Sequence, residues 1–461
     1  MPSALSPAPT AVVRAVADAL SAAVVLYRRG AIELRHPIEL VRTAREATAL
    51  GPVATTLAHA TRGASSAVAL IDDRGPITFE QLDQASNRLA NGLAAQAITA
   101  GTVLGALCRD HRGFVLTMLA AGKLGARIVL LDTGISGPRL TATLEREQID
   151  MLLADAEFVD RFDELPAQMP IVLTRAGATN RRGLPTIHGI AAWRSALPLP
   201  VPVDPGGIVI LAEGAETPKG APSGKVSPLQ SAQFLDRIPL PKANTIVLAA
   251  PLSHGIGLSQ LILGWALGNT VVVLADRFDA RRTLAAVARH HASALVLVPT
   301  MLRQIVDLGP TVLAEYDTST LTVIFSAGSA LPPDLSRRTA LHFGDALYHL
   351  YTCADVTVAA VATPQDLREA PGTVGRPPVG CRVAVYDEQR RRITTPGVVG
   401  TLFVAGGLSF LGFTDGTDKE VVDGMHSSGD LGHFDDAGRL FIDGPDDAMI
   451  GEPLPAPAHS E

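Results

Sequence analysis

The 461-residue sequence has only three cysteines, Cys108, Cys353 and Cys381. They show no CxxC spacing and no histidine pattern nearby, which argues against a structural zinc site. An odd and sparse set of cysteines gives no disulfide framework and is typical of a reduced compartment. We therefore expect a cytoplasmic protein without zinc.

Charged residues are also scarce, at 18% of the chain. The net charge of -7 comes from residues of both signs that are scattered along the sequence, and no long basic run is present. We therefore expect no nucleic-acid partner. The hydrophobic fraction of 47% is high enough for a large core and excludes a highly solvated, disordered chain.

The N-terminal region lacks an apolar run long enough to span a bilayer, because Arg14 and Asp18 interrupt it. Its charges also do not come in the order of a signal peptide. Apolar positions at helical spacing instead predict a peripheral helical segment over residues 1–50. Such a helix suits contact with a membrane surface, and the sequence indicates no particular protein partner.

From residue 51 onward, short runs of Val, Ile and Leu alternate with amphipathic helical stretches. TVLGALC (102–108), ARIVLLD (126–132), SALVLVP (293–299) and LTVIFSA (321–327) are examples of such runs. Continuously apolar runs suit strands that are buried on both faces, and their alternation with helices is typical of βαβ units. The sequence therefore predicts an α/β fold built on largely parallel sheets.

Changes in composition suggest where the subdomains begin and end. The Pro-rich LPLPVPVDPGG (197–207) separates two predicted βαβ-type sheet subdomains, residues 51–200 and 206–380. Three short strands separated by turn residues, RVAVYD, GTLFVAG and RLFIDG, predict a small β-rich subdomain over 381–450. Residues 451–461 are Pro-rich and polar, and we expect a loose tail.

Six stretches carry the functional signal, although each is weak when taken singly. TPKGA follows the apolar run GIVIL, as a glycine-containing loop that cradles phosphates would. In chain order the stretches are TPKGA (217–221), PLSHGIGL (251–258), SAGSALPP (326–333), LYTCADV (350–356), PGTVGRPPVG (371–380) and HSSGDLGHFDDAGRLFIDGPDDAMI (426–450).

In their order and spacing these stretches resemble the AMP-forming (adenylate-forming) acyl-CoA synthetase superfamily. CRDHRGFVLTMLAAGKLGARIVLLDTG (108–134) is further similar to bacterial long-chain fatty-acid–CoA ligases. The resemblance implies the large N-terminal domain of that family, with two sheet subdomains and a β-rich one. It also implies a two-step reaction. A fatty acid and ATP give acyl-AMP and pyrophosphate, and the thiol of coenzyme A then displaces AMP.

The resemblance also implies the roles of particular residues, with ATP and Mg as cofactors. It assigns adenine to Gly328 and Tyr351, magnesium to Asp355 and the ribose to Asp430. The remaining assignments are the phosphate loop (Gly214, Thr217, Lys219, Gly220) and the acyl pocket (His254, Gly257, Ala327).

The phosphate loop departs from the family pattern. The family has a run of Ser, Thr and Gly before Pro-Lys-Gly, whereas this chain has Glu213 and Glu216 where polyphosphate would lie. Like charges at contact distance cost about 1 kcal/mol each even in water. An ordinary acidic surface loop is the alternative interpretation of this stretch.

Further departures follow downstream. Ala354 replaces a phosphate-binding Thr, and Asp355 replaces a Mg-binding Glu with a side chain one methylene shorter. Pro445 stands where the family has an Arg that holds the ribose, and Ala448 stands at the family's hinge residue. The family then continues into a lid domain that carries a catalytic Lys, whereas no Lys follows Lys419 here. We expect the lid to be absent and, without it, no binding of CoA.

Three hypotheses follow from these features. The chain is an impaired AMP-forming acyl-CoA ligase, or it is a non-catalytic pseudoenzyme that binds a fatty acid, another small carboxylate or a partner protein. In the third hypothesis a separate polypeptide supplies the lid, but a lid in trans would not restore the phosphate loop.

Overall fold

The computed structural model describes residues 9–32, 37–166, 168–176, 183–203, 205–211, 220–223, 228–353, 356–406 and 420–445. Helices pack on sheets that contain both parallel and antiparallel strands, which confirms the predicted α/β class.

The described chain begins with two helices, and the second of them buries Leu57 in the main core. Helix α2 is kinked at Gly51, just before Pro52, whose ring cannot continue a regular helix. Thr78 starts the third helix, because its hydroxyl accepts from Gln81 N in a reciprocal capping box. The elements are α1 (Pro9–Arg28), α2 (Pro37–Ala64), β1 (Val68–Asp72), β2 (Gly75–Thr78) and α3 (Phe79–Ala94).

The next stretch of chain contains the strands of the first sheet, whose order is β6-β5-β3-β4-β7-β8. All neighbours in it are parallel except β7 and β8. The elements are β3 (Val103–Leu107), α4 (Arg112–Leu124), β4 (Arg127–Leu130), α5 (Gly137–Arg146), β5 (Met151–Asp155), a 3-10 helix (Ala156–Glu164), β6 (Ile171–Arg175), α6 (Ile187–Ala191), β7 (Ile208–Leu211) and β8 (Gly220–Ser223).

The second sheet has the order β14-β13-β12-β11-β9-β10-β1-β2 among the described residues. Its central pairs are parallel, and the pair at each end is antiparallel. The later elements are α7 (Pro228–Arg237), β9 (Thr245–Leu248), α8 (Gly255–Ala266), β10 (Thr270–Val273), α9 (Ala280–Arg289), β11 (Ala294–Leu297), α10 (Pro299–Val306), α11 (Gly309–Leu313), β12 (Val323–Ala327), α12 (Pro333–Phe343), β13 (Leu347–Cys353), β14 (Val356–Ala362) and α13 (Pro364–Glu369).

A third, antiparallel sheet follows, with the order β16-β15-β17-β19-β18 and with β20 paired to β19. Its elements are β15 (Arg382–Tyr386), β16 (Arg392–Ile393), β17 (Gly400–Ala405), β18 (Val421–Val422), β19 (Met425–Phe434) and β20 (Leu440–Pro445).

Some strands on each side of the predicted boundary between the first two subdomains belong to the sheet of the other side. β1 and β2 belong to the second sheet, and β7 and β8 belong to the first. Each sheet therefore draws strands from both sides of the Pro-rich segment. The proposed division into 51–200 and 206–380 remains a prediction about domains, and the sheets do not follow it.

The largest buried cluster lies between the first two sheets and contains residues of α3, α4 and α8. At its centre Trp265 is fully buried, and its indole nitrogen donates to the Ala69 carbonyl oxygen at 2.9 Å. Three helices sandwiched between two sheets thus hold both sheets in place. Of the helices described, none has the length and apolar character needed to traverse a bilayer.

Candidate functional site

The predicted acyl-pocket and adenine residues lie at one edge of the second sheet. Strands β9, β11, β12 and β13 are parallel neighbours, so their carboxyl ends point the same way. Ala327 ends β12 and is buried, while Tyr351 lies near the end of β13. His254 follows β9 and directly precedes α8. The carboxyl edge of a parallel sheet is where such folds bind ligands.

The turn at Gly328, in the predicted adenine segment, packs against the predicted acyl-pocket segment. Gly328 has φ +99°, a conformation that side chains rarely adopt. A Cβ atom added to it would lie 3.3 Å from Ile256 Cδ1, the second residue of α8. The turn after β12 therefore packs directly against the start of α8.

The turn around His254 is closed by a second glycine. A Cβ atom on Gly257 would lie 2.1 Å from the Pro251 carbonyl oxygen, so only glycine fits there. Asp110 Oδ1 accepts from Leu252 N at 2.9 Å in the same turn. The conformation of residues 251–257 is thus fixed by the close packing of Gly257 on Pro251 and by the hydrogen bond from Leu252 N to Asp110, which follows β3.

Asp110 is a member of this cluster that the sequence reasoning missed. Burial raises the pKa of its carboxyl to about 7, against the hydrogen bond from Leu252 N and the charges of His111, His254 and Arg109, which lower it. Its position two residues after the apolar run TVLGALC was the available signal, because residues that follow buried strands of a parallel sheet line its carboxyl edge.

Tyr351 and Asp430 meet across two sheets. The Tyr351 hydroxyl donates a hydrogen bond to Asp430 Oδ2. Asp430 N donates to Ser428 Oγ at 3.1 Å, which fixes the strand around it. Burial raises the pKa of the Tyr351 phenol, and Cys353 and Asp430 raise it further, so the phenol keeps its proton and acts as the donor. The adenine and ribose residues implied by the resemblance therefore form a hydrogen-bonded pair.

Pro445 is the cross-strand neighbour of Asp430 in the pairing of β19 with β20. Its ring is exposed and offers neither a charge nor a backbone N–H group. The position that the resemblance assigns to a ribose-binding Arg therefore lies beside Asp430, and the side chain there cannot make that contact.

The phosphate loop falls between two paired strands. Leu211 ends β7 and is paired with Gly220 at the start of β8. A Cβ atom on Gly255 would lie 3.9 Å from Ile210 Cδ1, which places the end of β7 beside the start of α8. Of the loop residues, Gly220 is described, while Gly214, Thr217 and Lys219 lie outside the described residues.

Five further residues lie outside the described residues: Glu213, Glu216, Ala354, Asp355 and Ala448. The Mg site at Asp355 and the hinge at Ala448 therefore remain predictions from the sequence. Within the described part of the chain, no group of three or more His, Cys, Asp or Glu side chains is arranged to hold a metal ion. For the nucleoside end of ATP, the described residues offer the half-buried ring of Tyr351, the Gly328 turn and the Asp430 carboxylate, whose chemistry is compatible with adenosine.

Residues 57–414 match the sequence profile of the family described as "AMP-binding enzyme". The chain is 23% identical over 405 residues to 3-hydroxybenzoate–CoA/4-hydroxybenzoate–CoA ligase of Thauera aromatica, covering 84% of this chain and 76% of that protein. It is 25% identical over 410 residues to fatty acid–[acyl-carrier-protein] ligase ScoC of Streptomyces coeruleorubidus, covering 85% of this chain and 76% of that protein. The anthranilate CoA ligase AuaEII, solved in complex with anthranoyl-AMP, has a similar fold, with a TM-score of 0.76 at 20% identity over 87% of this chain and 79% of that chain.

Proposed function

Because this chain belongs to the AMP-binding enzyme family, we propose that it binds the adenylate of a fatty acid and is impaired in forming it. The observation that carries the proposal is the hydrogen bond from Tyr351 to Asp430, with Pro445 as the strand neighbour of that carboxylate. The pair retains groups that suit adenosine, while Pro445 removes the guanidinium that would hold the sugar.

The proposed chemistry is the first of the two steps of the family reaction. A carboxylate oxygen attacks the α-phosphorus of ATP, an acyl–oxygen–phosphorus bond forms, and pyrophosphate leaves with the electrons of the broken phosphoanhydride bond. The acyl group is proposed to lie by His254 and Gly257, which flank Ile256, the residue that packs against the Gly328 turn. Glu213 and Glu216 would repel the departing pyrophosphate, which is one reason to expect a slow step.

A fatty acid is proposed as the substrate because residues 108–134 resemble long-chain ligases. The relatives named above act, by their names, on hydroxybenzoates and on a fatty acid. A comparison of decanoate with 4-hydroxybenzoate therefore tests the proposed class.

Exchange of labelled pyrophosphate into ATP tests the proposed impairment. With decanoate we expect exchange close to the protein-free blank, together with measurable calorimetric binding of decanoyl-sulfamoyl-adenosine, a stable adenylate analogue. Pro445→Arg is expected to raise exchange about tenfold, because a charged hydrogen bond contributes about 1.5–3 kcal/mol. Pro396→Arg places the same charge in an exposed turn after β16 and serves as the matched control.

Two outcomes would contradict the proposal. Rapid exchange by the unaltered protein would show that adenylation is intact. Failure of the analogue to bind would show that the Tyr351–Asp430 pair is no adenylate site. Binding of decanoate that His254→Gln abolishes, without binding of the analogue, would instead favour the alternative function, a pseudoenzyme that binds a fatty acid.

A membrane-surface role for α1 is a second proposal, supported by one observation. Its buried face includes Ala22 and Leu26, and α1 packs against α7. Its opposite face exposes an apolar stripe at helical spacing, formed by Val16, Leu20, Val24 and Tyr27. A helix with such a face can lie in the interface of a bilayer without crossing it.

The double substitution Leu20→Ser with Val24→Ser is expected to lower the partition of the protein onto phosphatidylcholine–phosphatidylglycerol vesicles about tenfold, because both side chains would bury apolar surface in the bilayer. Vesicle co-sedimentation measures this partition. Leu341→Ser removes a leucine on α12 that is even more exposed than Leu20, and it should change nothing. If the unaltered protein does not sediment with vesicles, the membrane proposal is wrong.

A further inference from the structure

A cavity lies between α3, α4 and α6, where β6 ends. This cavity, here called the α3–α6 groove, has a volume of about 580 Å³. That volume is typical of pockets that enclose a small molecule. Its lining is mainly apolar, with Leu89 from α3, Leu116 from α4 and Ile187 from α6.

Two arginines at the rim of the α3–α6 groove differ from the others around it. Arg112 also lines the groove, but its Nε donates to the Asp72 carboxylate at 3.0 Å. Arg74 and Arg88 are exposed, and neither guanidinium has a carboxylate partner among the residues that the structure describes. In a protein of net charge -7, two unpaired cations above an apolar floor mark a place for an anion.

Trp193 closes one end of the groove and is fully exposed. Its φ of +60° lies in the left-handed region, which is uncommon for a bulky side chain. A further cavity of about 540 Å³ borders the same indole, so the ring stands between two open spaces. Trp265, in contrast, is fully buried and hydrogen-bonded.

We propose that the α3–α6 groove binds an amphipathic anion, a molecule with an apolar body and one carboxylate or phosphate head group. The apolar body lies on the partly exposed Leu116 and Ala191, beside the exposed indole of Trp193. Arg74 and Arg88 hold the head group through paired N–H donors, which match the oxygens of a carboxylate or phosphate. The site is separate from the Tyr351–Asp430 pair, and the inference does not depend on the proposed function.

The chain has only two tryptophans, so its intrinsic fluorescence can report on the groove directly. Decanoate and decyl phosphate, both below their micellar concentrations, are expected to change the emission of Trp193 in a saturable way. Trp193→Phe should abolish that change, since Trp265 is buried elsewhere. Decanol has the same apolar body without the charge and should bind about tenfold more weakly or worse.

Arg74→Gln combined with Arg88→Gln should weaken decanoate binding about tenfold or more, measured by fluorescence and by calorimetry. Arg282→Gln removes a guanidinium that is paired with Asp276 on the surface, and it is the matched control. His254→Gln alters the proposed acyl pocket and should leave this binding unchanged, which distinguishes the groove from the adenylate site.

Several results would overturn the inference. One is equal affinity for decanol and decanoate, and another is unchanged affinity in the double arginine variant. A third is loss of decanoate binding in His254→Gln, because the ligand would then occupy the proposed acyl pocket of the adenylate site. A response to phosphatidylglycerol vesicles without any response to soluble decanoate or decyl phosphate would assign the surface to membranes instead.

Discussion

Replacing Asp430 with Asn is expected to weaken binding of decanoyl-sulfamoyl-adenosine by about 10- to 100-fold. The carboxylate accepts the hydrogen bond of the buried Tyr351 phenol, and it is the group proposed to accept those of the ribose. Hydrogen bonds to a charged group contribute about 1.5–3 kcal/mol, and an amide has only one oxygen left to accept them. Titration calorimetry on the full chain measures the change in Kd.

A matched control is available on the same pair of strands. Asp443 lies on β20 and forms a half-exposed pair with His433 Nδ1 at 2.7 Å. Asp443→Asn should therefore bind the analogue as the unaltered protein does. Equal affinity of Asp430→Asn and the unaltered protein would show that Asp430 is a structural partner of Tyr351 and that the ribose lies elsewhere.

Asp110→Asn is expected to stabilise the protein at pH 8 by about 2 kcal/mol and to leave its stability at pH 4 nearly unchanged. The pKa of Asp110 rises from 3.8 to about 7 on folding. Because the folded protein holds this proton more tightly than the unfolded chain does, the protein loses stability as the pH rises from about 4 to about 7. Each unit of pKa shift corresponds to about 1.4 kcal/mol, and the partial exposure of Asp110 reduces the effect.

The amide introduced by Asp110→Asn keeps an oxygen for Leu252 N, so the substitution removes the charge and retains the hydrogen bond. Urea unfolding at pH 4, 6 and 8 measures the free energy of unfolding of both proteins. Burial lowers the pKa of His349 to about 4. The free energy of unfolding of both proteins therefore rises between pH 4 and 6.5 for this reason, and the rise cancels when the two proteins are compared. A difference that does not depend on pH would show that the ionised Asp110 is not destabilising.

The strands were predictable because their signal is local. TVLGALC and LTVIFSA contain β3 and β12, and both strands are buried along their whole length. A run that is apolar on both faces identifies a buried parallel strand without knowledge of its partners. Which sheet a strand joins depends on residues far away in the chain. The exchange of β1, β2, β7 and β8 between the sheets therefore could not be predicted from the sequence.

The candidate site was predictable in part for the same reason. Tyr351 and Asp430 were identified singly, by their motifs, but their hydrogen bond joins residues 79 positions apart. Asp110 was missed because its contact with Leu252 spans 142 positions.

The α3–α6 groove was not predictable at all. Its cations and its indole come from separate segments of the chain, and only the folded structure shows that Arg74 and Arg88 lack carboxylate partners among the described residues.

The exchange of strands between the sheets has a consequence for how the chain folds during synthesis. β1 pairs in register with β10, Leu70 opposite Val271, so the β1–β2 hairpin leaves the ribosome about two hundred residues before its neighbour. Until then the edge of β1 that faces β10 is open, and the first sheet likewise stays incomplete until β7 and β8 have been made. Neither sheet can be completed by its own half of the chain. Nascent-chain protection by chaperones is therefore a more pressing need here than in a protein whose domains mature one after the other.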